Sequence, residues 1–355
     1  MKIAQIAPIW YAIPPKGYGG IEYVVHCITE GLVRKGHDVT LFAAGDSVTD
    51  AKLVSVYDVA PSEKIGQTYP DLLHVMNAYQ AAGDFDLIHD HSGLIGPVIG
   101  SFVDTPVLHT LHGPATQEAK DFYHRLKDSI YYNAISDYQR ERFGDLNFIG
   151  TIYNGVDTAK YTYREDKEDF IFFIGRMNPE KGSHVAVEVA KKTGKKMIMV
   201  SKMTEPHERA YFKEKVEPVL KGAKNIELIG EIDTKTKIEM YQKASCVLFP
   251  IQWPEPFGLV MTEAMACGTP VIAMRNGSVP EVIAHGKTGF ICDSTDDMVK
   301  AVARVDEIDT MDCRKHVERY FSVEKQVDNY IRAYEEILER EGGQIRGQLE
   351  LLKTA

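Results

Sequence analysis

The stretch EPFGLVMTEAMACGTP, residues 255–270, sets two carboxylates, Glu255 and Glu263, into an otherwise apolar segment. A helix is expected to start near Leu259, which leaves Glu255 in the preceding loop and Glu263 in the second helical turn, so both can face one side. Carboxylates accept hydrogen bonds from paired hydroxyls, the pattern of a ribose or a hexose. First-turn amides have no intrahelical acceptor, so those of Phe257, Gly258 and Leu259 would point at an anion. A capping glutamate plus a surface glutamate accounts for the spacing equally well, because carboxylates are favoured near helix starts.

Three further loops carry chemistry. In IGRMNPEKG (174–182), Arg176 and Lys181 follow a strong strand and stand beside a helix start, which suits a diphosphate; a solvated basic pair on a turn is the plainer alternative. In PPKGYGGIE (14–22), Gly19 and Gly20 precede a helix and allow close backbone approach by a phosphate or sugar. The dinucleotide fingerprint is incomplete there, since Glu22 stands where its third glycine belongs. In HTLHG (109–113), His112 closes a strand next to Gly113 and could bond a sugar hydroxyl, or be a turn histidine. HDH (89–91) also ends a strand, but alternation sends Asp90 away from His89 and His91, so no metal site is expected.

The elements that must position these loops are short apolar runs alternating with helical patterns. KIAQIAP, DVTLFAAG, DLIHDHSG and PVLHTLHG read as strands, and EYVVHCITEGLVRKG (22–36) as a helix closed by Gly36. The pattern restarts with FIFFIGRMNPEKG (170–182), followed by KKMIMVSK, NIELIGEI, CVLFPI, PVIAMRNG and GFICD. Alternating strands and helices argue parallel βαβ units, and the fold class is α/β with two doubly wound Rossmann-like domains. Thr162–Asp169 is the expected linker, which gives domains 1–165 and 166–322. A helix over 323–341 carries a stripe of Val327, Tyr330, Ile331, Tyr334, Ile337 and Leu338 that needs a partner surface, and a polar tail follows to 355. Ligands of open parallel sheets bind beyond the carboxyl ends of the strands, where all of these loops fall. Two such domains are expected to face a central cleft.

Bulk properties exclude several function classes. With 41 basic against 51 acidic residues the net charge is −10, which argues against a nucleic-acid partner and gives no help towards an anionic membrane. TQEAKDFYHRLK (116–127) lacks the dense basic face of a membrane-docking helix. Five cysteines, an odd number with no CxxC spacing, indicate neither a disulfide framework nor a zinc knuckle. With no apolar run of about 18 residues and no leader pattern at the N-terminus, a cytoplasmic protein is expected.

Taken together, GG(I)E at 19–22, HG at 112–113, NGVD at 154–157, GRxxxxKG at 175–182 and ExFGxxxxE at 255–263 resemble the retaining nucleotide-sugar glycosyltransferases of family four, which have the GT-B architecture. The last two motifs are the specific ones, and the order covers nearly the whole chain. The N-terminal stretch looks like the shorter soluble members that act on small-molecule or oligosaccharide acceptors. The resemblance implies an N-terminal acceptor domain, a C-terminal donor domain, and a C-terminal helix that crosses back to the N-terminal domain. It implies that Arg176 and Lys181 hold a donor diphosphate, Glu263 binds ribose hydroxyls, and Glu255 contacts the transferred sugar with His112 beside it. Amides of Phe257, Gly258 and Leu259, with Gly19 and Gly20, would bind phosphate and sugar, and the base would lie near Gly230, Glu231 and Ile232. The chain departs from the pattern at NGSVPE (276–281), where many members have a Gly-Gly pair.

The activity so implied is transfer of a hexose, with UDP-glucose the first guess, from a nucleotide diphosphate sugar to a soluble acceptor, with retention. Neither a metal nor any other cofactor is implied, since two cations stand at the phosphates. The alternatives are a sugar-nucleotide epimerase on the same scaffold and a catalytically silent sugar-nucleotide-binding protein.

Overall fold

A computed structural model describes residues 1–17 and 19–354, with the backbone alone from 343 onward. The chain divides into two compact units, Met1–Gly155 with Val323–Ala355, and Val156–Ser322. The first division falls ahead of the polar stretch expected to be the linker. That stretch belongs to the second unit, because Tyr163 bonds Thr310 at 2.9 Å and Arg314 holds the carbonyls of Thr158 and Tyr161 at 2.9 and 2.6 Å.

Among the described residues, the strands of the first unit are β1 (Lys2–Ile6), β2 (Asp38–Phe42), β3 (Lys52–Val54), β4 (Leu87–Asp90), β5 (Val107–Leu111), β6 (Tyr131–Ala134) and β7 (Phe148–Thr151). They form one parallel sheet in the order β3-β2-β1-β4-β5-β6-β7. The second unit repeats the plan with β8 (Glu168–Arg176), β9 (Lys196–Lys202), β10 (Ile226–Ile229), β11 (Ala244–Phe249), β12 (Val271–Met274) and β13 (Gly289–Cys292). Its order is β10-β9-β8-β11-β12-β13, again parallel. Each sheet reverses its winding beside its first strand, the doubly wound arrangement expected from the alternation of strands and helices. Helices cover both faces, so the inner strands are buried without alternation: β4 and β5 are buried at every position.

The C-terminal helix Val323–Thr354 returns to the first unit. Val327, Tyr330, Tyr334 and Ile337 are buried, so the stripe has its partner surface. It crosses the helix Gly20–Arg34 at Gly31, where a β-carbon would come within 2.3 Å of Val327. The helix was expected to stop near 341, before the paired glycines; instead it continues through them to Thr354. A glycine inside a helix costs only about 1 kcal/mol relative to alanine, and the flanking QIRGQLELLK is rich in good helix formers. Among the described residues, no helix is long and apolar enough to cross a membrane.

Candidate functional site

In the second unit, two loops that lie far apart in sequence are joined directly. The loop after β8 and the loop after β11 are tied by Gln252 N–H donating to the Glu180 carbonyl at 2.7 Å. This brings the Lys181 ammonium within 2.6 Å of Glu255 Oε2. The Trp253 indole N–H donates to the same carboxylate oxygen at 2.8 Å, and Lys181 lies over the Trp253 ring at 5.4 Å. Glu255 is buried although it sits in a loop, and its charge is balanced on the spot. Arg176 ends β8, and the Lys181 side chain packs against the adjacent Gly175. The two cations therefore flank one strand end.

The loop over 276–281, where the chain departs from the family pattern, braces Glu255 from behind. Ser278 donates from its amide to the Glu255 carbonyl at 3.0 Å and from its hydroxyl to the Phe257 carbonyl at 2.7 Å. Asn276 donates to the Ile251 carbonyl at 2.8 Å. Gly277 has φ 57°, and a β-carbon there would meet the Glu255 carbonyl oxygen at 2.2 Å and its nitrogen at 2.5 Å. Ser278, next to Gly277 in this departure, thus holds the glutamate loop.

The helix Leu259–Ala266 starts where the sequence placed it. The Phe257 ring is buried against Phe321, so its side chain belongs to the core. Glu263 is buried in a ring of donors: Tyr161 at 2.6 Å and Lys237 at 2.8 Å on Oε1, and Tyr241 at 2.9 Å on Oε2. Lys237 also lies over the Tyr161 ring at 5.5 Å. Gly230 and Glu231 are exposed and Ile232 half-buried just after β10, leading into the helix Thr234–Lys243 that carries Lys237.

Arg176 is held by a residue the sequence reading passed over. Its Nε donates to Glu208 Oε1 at 2.9 Å, while Glu208 Oε2 accepts the amides of Thr204 and Glu205 at 2.8 and 2.9 Å. Glu208 is fully buried. Burial pushes its carboxyl up, but the Glu205 amide, Arg176 and the Thr204 amide together hold it below the usual range. The signal was the capping pair Glu205 and Glu208 around Pro206, legible as a helix start but not as a support for Arg176. Tyr161, Tyr241, Lys237 and Trp253 were missed as well, having no local pattern that separates them from core or surface residues.

Gly19, Gly20 and His112 lie in the first unit. Gly20 opens the helix Gly20–Arg34, whose first turn also holds the buried Glu22. Burial raises the Glu22 pKa, and its own backbone amide partly offsets the rise. His112 follows β5 and is half-buried, with Nε2 at 2.9 Å from His91 Nδ1. Burial, and then the nearby His109, push its pKa down to about 3, so the imidazole is neutral. As alternation required, His89 and His91 share one face, with ring centroids 4.0 Å apart, while Asp90 turns to Tyr79 at 3.2 Å and to His109 at 3.6 Å.

Residues 18–160 match the family model described as Glycosyltransferase Family 4, and residues 158–320 match Glycosyl transferases group 1. A D-inositol 3-phosphate glycosyltransferase of Pseudarthrobacter chlorophenolicus is 26% identical over 331 residues, spanning 78% of each chain. An uncharacterised glycosyltransferase of Methanocaldococcus jannaschii is 26% identical over 348 residues, spanning 90% of this chain and 95% of the relative. AviGT4, a glycosyltransferase involved in avilamycin A biosynthesis, superposes with a TM-score of 0.73 at 25% identity, covering 96% of this chain and 98% of its own. Anabaena HepE, solved with UDP and glucose, shares the fold with a TM-score of 0.73 at 19% identity, over 95% of this chain and 100% of its own. With both modules matched in tandem over nearly the whole chain, on two Rossmann-like sheets, this protein belongs to the family 4, group 1 glycosyltransferases of GT-B architecture.

Proposed function

We propose that the protein transfers a hexose from a nucleotide diphosphate sugar to a small soluble acceptor, with retention at the anomeric carbon. The observation that carries this reading is the pairing of Arg176 and Lys181, at one strand end, with the buried carboxylates Glu208 and Glu255. Two cations held in place beside a helix start suit the growing charge of a leaving diphosphate, and they need no reorganisation as that charge develops. Glu263, with its ring of hydroxyls and Lys237, takes the ribose. Gly230, Glu231 and Ile232 lie against the base. Glu255 receives hydroxyls of the transferred sugar, and the amides of Phe257, Gly258 and Leu259 meet the phosphates. In the first unit, the backbone at Gly19 and Gly20 meets phosphate or sugar at the start of the helix Gly20–Arg34, with Gly19 packed closely against Pro15 and Glu22, and His112 meets a sugar hydroxyl.

In the reaction, the bond between the anomeric carbon and the β-phosphate oxygen breaks. A bond to the acceptor oxygen forms on the same face, and the acceptor proton passes to the leaving phosphate oxygen. Arg176 and Lys181 supply the charge a metal ion would otherwise bring, so turnover proceeds in EDTA. A relative named for D-inositol 3-phosphate supports a small polar acceptor. The five free, buried cysteines are compatible with a reducing, cytoplasmic setting.

The test is donor turnover. Purified protein is incubated with UDP-glucose, GDP-mannose and ADP-glucose in EDTA, with and without a mixed pool of polyol and sugar acceptors, and released nucleoside diphosphate is measured. Release from one donor that rises with acceptor is the expected result. Conversion of the donor sugar without acceptor points to an epimerase, and absence of both turnover and thermal stabilisation by any nucleoside diphosphate removes the proposed site.

A further inference from the structure

Behind His112 lies a chain of buried polar groups that the reaction above does not use. His91 Nδ1 is 2.9 Å from His112 Nε2, and His91 Nε2 is 3.2 Å from Gln5 Oε1. The Gln5 amide nitrogen donates to the Tyr334 hydroxyl at 3.2 Å and lies 3.3 Å from His89 Nδ1. Tyr334 and His89 are themselves joined at 2.7 Å, and His89 Nε2 meets the Thr110 hydroxyl at 2.8 Å. Gln5, His89, His91 and Tyr334 are all buried, and their side-chain polar atoms find their partners among one another, Thr110 and His112.

With the Gln5 carbonyl oxygen towards His91, donor and acceptor rules run through the chain in one direction. The Gln5 carbonyl oxygen only accepts, so the proton of His91 sits on Nε2. A neutral imidazole has one N–H, so His91 Nδ1 is bare and must receive a proton donor from His112 Nε2. The Gln5 amide nitrogen faces Tyr334 and His89, and its carbonyl oxygen faces His91. Burial and the neighbouring histidines keep His89 and His91 neutral. We infer that Gln5 and His91 are positioning residues that fix His112 in the tautomer with its proton on Nε2, so that His112 meets a ligand only as a lone-pair acceptor at Nδ1. Such a nitrogen takes a hydrogen bond from a sugar hydroxyl, repels an anionic phosphate oxygen, and has no proton to give a leaving group. The hydroxyl contact rests on the reading of His112 proposed above; the tautomer does not.

The test is a long-range 1H–15N correlation spectrum of the full chain labelled at histidine, with His112 and His91 assigned from the signals lost in His112→Gln and His91→Asn. The expected spectrum has both rings protonated at Nε2. In Gln5→Leu, which removes the acceptor, the two rings shift together towards Nδ1 protonation, and kcat/KM for the donor falls about three- to tenfold, the scale of one hydrogen bond. Nδ1 protonation of His112 in the wild type, or a His112 tautomer unmoved by Gln5→Leu, overturns the inference; the wild-type spectrum decides even if that variant fails to fold. A correct tautomer together with unchanged turnover in His112→Gln leaves the inference standing and removes the sugar contact. A reversed tautomer with turnover lost in His112→Gln does the opposite.

Discussion

Lys181 Nζ lies 2.6 Å from Glu255 Oε2, so a cation assigned to the diphosphate and a carboxylate assigned to the sugar hold each other in place. Each is thereby set before any ligand arrives, which is the condition for electrostatic stabilisation without reorganisation. Lys181→Ala is expected to lower kcat/KM by roughly 10²–10³, and Arg176→Ala by a similar factor. Steady-state kinetics with far-ultraviolet circular dichroism as the folding control measure this; a loss below about threefold in both variants removes the diphosphate assignment.

Glu208 supports Arg176 from a fully buried position. Glu208→Gln keeps the shape but removes the charge, and the amides of Thr204 and Glu205 then compete with Arg176 for a single carbonyl oxygen. Hydrogen bonds to charged groups are worth about 1.5–3 kcal/mol, so kcat/KM should drop at least about tenfold. Wild-type kinetics in Glu208→Gln would show that Arg176 needs no such support.

Tyr241 and Tyr161 each donate a hydroxyl to Glu263. Removing Tyr241 by phenylalanine leaves Lys237 and Tyr161 on the other carboxylate oxygen, so Glu263 can rotate. Titration calorimetry should find nucleoside diphosphate binding about tenfold weaker in Tyr241→Phe, from roughly 1.5 kcal/mol of lost orientation. An unaltered Kd detaches Glu263 from the nucleotide.

Gly277→Ala tests the brace behind Glu255. A β-carbon at φ 57° would press on the Glu255 backbone at 2.2 Å, so the loop must move and carry the carboxylate away from Lys181. Activity should fall at least about tenfold, while the melting temperature changes by no more than the few degrees expected of a loop strained by about 1–3 kcal/mol. Full activity in this variant would mean that the position of Glu255 does not matter.

The histidine cluster gives a pH prediction. Burial first, then neighbouring histidines, depress His89 and His91 well below 6.5 and His112 to about 3. The unfolded chain therefore binds more protons than the native one below about pH 6.5, and stability rises with pH across that window. Asp71, pushed up to about 6 by burial and then by Asp90, acts in the opposite sense between 3.8 and 6, as one proton against those of three histidines. Net stability should thus fall on acidification from pH 7 to pH 5, by up to about 1.4 kcal/mol per pH unit for each depressed histidine. Urea unfolding at both values reads it, and equal stability at the two would mean that the histidines charge freely in the native state.

Much of this protein was legible from local pattern. Strand and helix order follows from apolar periodicity, and the doubly wound sheets follow from that order, because parallel neighbours need a crossover of helical length. Arg176, Lys181, Glu255 and Glu263 could be singled out because glycines, prolines and helix starts at strand ends mark where backbone amides and charges face a ligand. The stripe of the C-terminal helix announced that it needed a partner, though the paired glycines wrongly suggested where the helix stops.

Only the tertiary structure decided which groups support those residues. Glu208 beside Arg176, the ring of Tyr161, Tyr241 and Lys237 around Glu263, and the path from His112 through His91 to Gln5 and Tyr334 each join segments remote in sequence. No periodicity marks such partners, because a buried tyrosine in the core and one that orients a carboxylate have the same local pattern. What separates them is the hydrogen bond, and that exists only once the chain has folded and the excluded water has left each polar group to find a protein partner.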